Sequence, residues 1–305
     1  MHISSAPPLS VRAAFDALVD YAGLFPPAQL PLAEAASEYD KERARAHAWM
    51  LARFIVPASL LSDAAASFKA RFSVIVDPKV EALHDVATVR CSGANVEALE
   101  VPLAKTVSPG REQLSADEIL DAIGALEADL SVEGLRDIAV FLEVPRSEPW
   151  IGALQPTLET LARFGLRAKI RCGGVTAEAF PSVEELATFV SSAHAANVAF
   201  KATAGLHHPV RHRDRATGFM MHGFLNVLAA AALVPAVDAA TLRAIVGEEE
   251  PAAFGFDGGS FWWRERRVSA GELKQTRAHR FLGFGSCSFS EPVDDLIALG
   301  ILPAQ

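Results

Sequence analysis

RAKIRCGGVTAEAFPSVEELATFVSSAHAANVAFKATAG, residues 167–205, carries the reading that decides the fold. It opens on a short β-rich run (167–174) and closes on another (198–205). Between them Ser182, with Glu185 three positions on, has the capping-box spacing that starts a helix, and the segment that follows is amphipathic. The same strand–helix alternation continues in both directions. Strands are expected at 20–25, 53–59, 72–77, 96–104, 138–145, 167–174, 198–205 and 253–259. Helical patterns lie between them, one starting at Ser115 with Glu118 in the same capping spacing.

About eight strands, each followed by a helix, is the count of an α/β (β/α)8 TIM-like barrel. An open doubly wound sheet is the competitor, but "YAGLFPP" near the start has no G-x-G-x-x-G phosphate loop. The expectation is therefore one (β/α) barrel domain over residues 1–305, with a long loop after strand 7 and a C-terminal extension. That loop is "LHHPVRHRDRATGFMMHG"; "GSFWWRERRVS" reads as a hairpin. The tail "FLGFGSCSFSEPVDDLIALG" reads as a glycine-broken loop, a Ser290 cap and a last short helix.

Side-chain parity then sorts each strand into two faces. In 198–205 the apolar face is Val198, Phe200, Ala202 and Ala204, which leaves Lys201 and Thr203 pointing into the barrel. The strand before it places Lys169 and Arg171 inward. Glu100, Glu143 and Asp257 follow by the same rule, with Arg53 and Asp77 as further candidates. A barrel interior is normally filled by bulky apolar residues. A charged upper layer instead forms a polar pocket whose members neutralise one another and shift one another's pKa. Salt-bridged architecture, Lys201 paired with Glu143, is the bland alternative.

Lys201 in "KATAG" resembles the Schiff-base lysine of class I barrel aldolases of the deoxyribose-phosphate type, whose strand reads Lys-x-Ser/Thr-x-Gly. In those enzymes a second lysine lies on the following strand; here the neighbour, Lys169, is on the preceding one. The resemblance implies lyase chemistry, with Lys201 as nucleophile and Lys169 as the second cation. Glu143 is then the group that moves protons. "YAGLFPPA", "KATAGLHHP", "MHGFLN" and "FGSCSF" are also similar to stretches in a group of bacterial proteins of about this length without an assigned function.

The substrate expected is a small anionic carbonyl or sugar-phosphate-like metabolite. Arg171, Thr203, His207, His208, Asp257, Arg53 and Asn226 are the binding candidates, Arg171 because its planar fork suits carboxylate or phosphate. No cofactor is required by this reading. The alternative is a divalent metal held by Glu143, His207, His208 and Asp257 for hydrolase or isomerase chemistry, although no HExxH-type spacing is present. A barrel that binds a metabolite without turning it over is the third class.

The remaining properties exclude more than they assign. A net charge of −9 argues against nucleic acid as the main partner. The most apolar stretch, "GFLNVLAAAALVPAV", is broken by Asn226 and Pro235 and is too short to span a bilayer. The start "MHISSAPPLSVRAAF" has no basic-then-apolar pattern, so no secretory signal is expected. Cys91, Cys172 and Cys287 form no C-x-x-C pair and suit a reducing, cytoplasmic setting. Cys287 in "FGSCSFSEP" is a candidate nucleophile, but with no base assigned beside it the expectation is a small buried residue. Trp262 and Trp263 suit a homo-oligomer interface or the substrate rim.

Overall fold

A computed structural model describes residues 7–76, 81–102, 115–144, 146, 150–174, 176–215 and 217–304. Asp77, one of the inward candidates, lies outside the described residues. Eight parallel strands close into a barrel: β1 (Val19–Tyr21), β2 (Leu51–Pro57), β3 (Phe72–Ile75), β4 (Val96–Val101), β5 (Ala139–Glu143), β6 (Arg167–Arg171), β7 (Phe200–Thr203) and β13 (Phe281–Ser286). Each of β2 to β7 pairs with its neighbours in sequence order, and β13 closes the ring between β7 and β1.

The outer layer is made of α1 (Leu9–Phe15), α2 (Leu32–Arg43), α3 (Ala58–Ser67), α4 (Ala82–Cys91), α5 (Ala116–Val132) and α6 (Trp150–Phe164). It continues with α7 (Val183–Ala195), α8 (Phe224–Leu233), α9 (Ala239–Val246), α10 (Ala270–His279) and α11 (Ser290–Ala298). Both expected capping boxes form, Ser115 with Glu118 and Ser182 with Glu185, and Ser269 with Glu272 adds a third at α10. The strands bury their outward residues under these helices: Phe200 stacks edge-on against Phe189 of α7, and Phe284 stacks on Phe224 of α8. Among the described residues no helix is long and apolar enough to cross a membrane.

The eighth strand is not where the pattern placed it. Residues 253–259 supply β10 (Phe254–Phe256), which pairs antiparallel with β11 (Ser260–Trp263), and β11 with β12 (Arg266–Ser269). This small sheet lies outside the barrel, with Phe256 against Phe15 of α1. The barrel strand is the glycine-bearing run 281–286, which reads as a loop because glycine disfavours strands. Here small size is required. A Cβ on Gly285 would stand 3.0 Å from the Ile55 side chain and 3.4 Å from Thr203 Oγ1, so a larger residue would crowd the barrel interior.

Two further details differ from expectation, the cap of the last helix and the burial of Trp263. The hydroxyl that accepts from the first turn of α11 belongs to Ser288, at 3.2 Å from the Glu291 N–H, and Ser290 is already helical. Trp263 is buried, its Nε1–H donating to Glu248 at 3.1 Å, and Trp262 packs beneath Arg267.

Candidate active site at the mouth of the barrel

The inward faces of five strands place their charges in one continuous chain. The β6–β7 register sets Lys169 beside Lys201, and the β5–β6 register sets Glu143 beside Lys169. Lys201 Nζ lies 2.6 Å from Asp20 Oδ2 on β1 and 2.6 Å from Glu100 Oε1 on β4. The other oxygen of Glu100 is 2.8 Å from Lys169 Nζ, which also reaches Glu143 Oε2 at 3.1 Å. Arg171 Nη1 ends the chain, 4.0 Å from Glu143 Oε1. Ser73 Oγ on β3 donates to Glu100 Oε1 at 2.7 Å, and the Phe141 ring lies 5.5 Å from the Lys201 ammonium.

Exposure rises along this chain and shows which end is open. The Glu100 side chain is 0% exposed, Lys201 2% and Lys169 4%, then Glu143 22% and Arg171 49%. The open end lies at the C-terminal ends of β5 and β6, where barrel enzymes place their chemistry. Burial alone would push the Glu100 carboxyl up, but Lys169 and Lys201 outweigh it and hold it well below the usual carboxylate range. Glu143 shows the same balance: burial raises it, Lys169 and Arg171 lower it further, and it stays ionised near neutral pH. For Lys169, burial favours the neutral amine, yet Glu100 and Glu143 raise its pKa and keep it protonated.

After β7 the chain turns through two left-handed residues, Ala204 at φ 58° and Gly205 at φ 68°. A Cβ on Gly205 would stand 2.8 Å from the Cys172 carbonyl oxygen, so the β6 and β7 ends approach backbone to backbone. The turn carries His207 and His208 onto the rim, facing α11. His207 Nδ1 lies 2.9 Å from Glu291 Oε2, and its Nε2 lies 3.9 Å from Cys287 Sγ. His208 Nδ1 lies 2.5 Å from Asp295, with its ring edge-on to His212. Thr203, in register with Arg171, is half-buried.

The arginine-bearing connection folds as a hairpin, β8 (His212–Arg213) with β9 (Met220–Met221). Beside it an open groove of about 580 Å³ is lined by Arg146, Glu185, Arg211 and Phe180 among others. Arg146 is held there by the carbonyls of Glu178 and Ala179, and Arg211 by Glu249 at 2.6 Å.

Three expected site residues lie elsewhere. Asp257 follows β10 in the small outer sheet, where it accepts from the Gly259 and Ser260 N–H groups and pairs with Arg267. Its inward placement fails because the strand carrying it is not a barrel strand. Arg53 sits near the start of β2, towards the opposite end of the barrel from the mouth. It is engaged by Glu97 at 3.2 Å and touches the charge chain only through Asp20, to which its backbone N–H donates at 2.9 Å. Asn226 is fully buried in α8. Its amide donates to the Ile245 and Glu248 carbonyls at 2.9 Å and its oxygen accepts from the Arg211 N–H at 2.9 Å.

That amide fixes the start of the hairpin to the end of α9. Asn226→Ala is expected to lower stability by about 2 kcal/mol, because buried backbone groups lose their partners. Urea denaturation and hydrogen exchange at residues 211 and 248 check it.

The metal set Glu143, His207, His208 and Asp257 is not assembled, since Asp257 is in the outer sheet and both histidines are turned to carboxylates of α11. Among the described residues no group of three His, Cys, Asp or Glu side chains is spaced to hold a metal ion. Conversely, Asp20 is a site residue that parity on its short strand could have shown: it lies between the outward Val19 and Tyr21. No model of a known protein family matches the chain, and no curated protein is detectably similar to it.

Proposed function

We propose that this chain is a barrel lyase of the aldolase type, acting on a small anionic carbonyl compound through a lysine Schiff base. The observation that supports it most is the pair of buried lysines on adjacent strands sharing Glu100, directly beneath a part-open carboxylate and arginine. A lysine pair in a desolvated pocket is the arrangement by which an amine is activated.

Lys201 is the amine in this reading. Lys169 is held protonated by Glu100 and Glu143 and serves as the second cation of the pair, and the likeness of the Lys-x-Thr-x-Gly strand to the aldolase motif assigns the nucleophile to Lys201. Lys201 passes a proton to Asp20, 2.6 Å away, and its nitrogen adds to the substrate carbonyl. Loss of water from the carbinolamine leaves an iminium. Glu143, ionised at the mouth, takes the proton of the β-hydroxyl, and the carbon–carbon bond breaks with its electron pair drawn into the iminium. The resulting enamine is reprotonated and hydrolysed, which returns Lys201. Arg171, with Thr203 beside it, holds the carboxylate or phosphate of the substrate.

Borohydride reduction in the presence of candidate oxo-acids and sugar phosphates tests the reading. A reduced adduct is expected at Lys201, absent in Lys201→Met. An adduct at Lys169 would keep the lyase chemistry and exchange the roles of the two lysines, the strand order of the aldolases that the motif resembles. No adduct with a compound that is turned over would end the proposal.

A further inference from the structure

The segments that follow β7 and β13 bring together a thiol, an imidazole and a carboxylate outside the lysine chain. Cys287 Sγ is 3.9 Å from His207 Nε2, and Glu291 Oε2 is 2.9 Å from His207 Nδ1. Nε2 thus faces the thiol, while Nδ1 faces Glu291 and, at 3.4 Å, Ser286 Oγ. With Nδ1–H donating to Glu291, Nε2 is left free to take the thiol proton. This is the nucleophile–base–orienter order by which enzymes activate a weak nucleophile.

The backbone holds all three in place. Leu206, fully buried, anchors the residue before His207. Ser286, the last residue of β13, donates to the Ser288 carbonyl at 2.6 Å and ties down the loop around Cys287. Ser288 in turn accepts from the Glu291 N–H, which sets Glu291 in the first turn of α11. The sulfur is half-buried and the imidazole is 16% exposed, so a small molecule can reach both. Cys172 is different: it is fully buried, and burial pushes its thiol up to about 12.

Other charged groups face this cluster from neighbouring elements. On β1, burial, with Glu38, Cys287 and Glu42 nearby, pushes the Tyr21 phenol up to about 12, so it is neutral. His208 lies beside Glu291 and is itself engaged by Asp295. His207 is raised to about 9: burial works against the charged ring, but Cys287 and Glu291 outweigh it. The neutral ring that takes the thiol proton is therefore fully populated only above about pH 9, and the acylation is expected to rise towards that pH.

The geometry points to Cys287 as a nucleophilic thiol, with His207 as its base and Glu291 as the residue that orients that base, taking an activated acyl group from an ester or thioester. Nε2 accepts the S–H proton while a sulfur lone pair forms the bond to the acyl carbon. The bond from that carbon to the leaving oxygen or sulfur breaks, and the leaving group takes the proton back from Nε2. The products are an S-acyl Cys287 and a free alcohol or thiol; water releases the acid in a second step. No oxidant or reductant is consumed.

p-Nitrophenyl acetate is the probe. A burst of nitrophenolate approaching one per chain is expected, with an acetyl group on the peptide carrying Cys287 that hydroxylamine removes. Cys287→Ala abolishes both. His207→Gln, checked for folding by circular dichroism, slows the burst by about 10²-fold or more, and Glu291→Gln slows it less. Independently, iodoacetamide labels Cys287 faster than the exposed Cys91 at the same pH, and His207→Gln removes that advantage. Acetylation confined to Cys91 or to lysines, or alkylation of Cys287 that is unchanged in His207→Gln, would overturn the assignment.

Discussion

Glu100→Gln is expected to lower folding stability by about 3–5 kcal/mol near neutral pH, the usual loss when one member of a buried ion pair is removed. The replacement keeps the shape of the side chain, so the effect is electrostatic. Among the described residues Glu100 is the only carboxylate that both lysines touch, at 2.6 and 2.8 Å, and it is fully buried. Without its charge, two ammonium groups share a dry interior in which, among the described residues, Asp20 and Glu143 are left to offset them. Ser73, which donates to the same oxygen, also loses its charged acceptor.

The sign with pH follows from the shifts. The Glu100 carboxyl is lowered on folding, so its stabilising share is present above the unfolded value of about 4.3 and is lost only as pH falls through its folded value. Lys169 is raised on folding, so its share is complete below about 10.4 and is lost as pH rises through its folded value. The Glu100→Gln deficit should therefore be largest, and of similar size, anywhere between these limits, so pH 7 and pH 10 should give the same value. Chemical denaturation at pH 7 and pH 10 measures it. A variant as stable as the wild type at pH 7 would mean that the chain of charges is not ionised as described.

The second large effect lies where the barrel closes. Arg277 of α10 donates to five carbonyls: Phe281 and Leu282 at the start of β13, Ala14 of α1, and Asp16 and Ala17 just before β1. The carbonyl of Ala14 is in the last turn of α1 and has no continuing helix to bond, and Ala17 is left-handed at φ 46°. One planar guanidinium thus joins the two strands that seal the ring. Arg277→Ala is expected to cost about 3 kcal/mol or more, since hydrogen bonds from a charged donor are each worth about 1.5–3 kcal/mol and are not additive. Arg277→Lys should fall between, because an ammonium has three donors and no fork. Urea midpoints give the size, and hydrogen exchange locates it: amides of β1 and β13 should open before those of β4 and β5. Equal opening across the barrel would assign the closure to packing alone.

How much of this could be read from residues in order is clear at particular places. The switch between a period of two and a period of 3.6 is a local property, and it marked seven of the eight barrel strands. Parity on those strands put Lys169, Arg171, Lys201, Glu100 and Glu143 on inward faces, where the structure has them. The same rule misplaced Asp257, because periodicity says that a segment is a strand without saying which sheet it joins. Residues 254–256 pair with their own hairpin, while a glycine run closes the barrel.

Partnership is where order along the chain stops being informative. Lys201 meets Asp20 across 181 positions and Glu100 across 101, and His207 meets Cys287 across 80. The sequence by itself determined that alternating strands and helices build an α/β chain with buried cations on its inner faces, because backbone geometry and apolar burial act over a few residues. Only the tertiary structure decided which carboxylate holds each lysine, which strand seals the ring and which histidine stands beside the thiol. Those contacts depend on barrel closure, which brings together strand ends that are far apart in the chain.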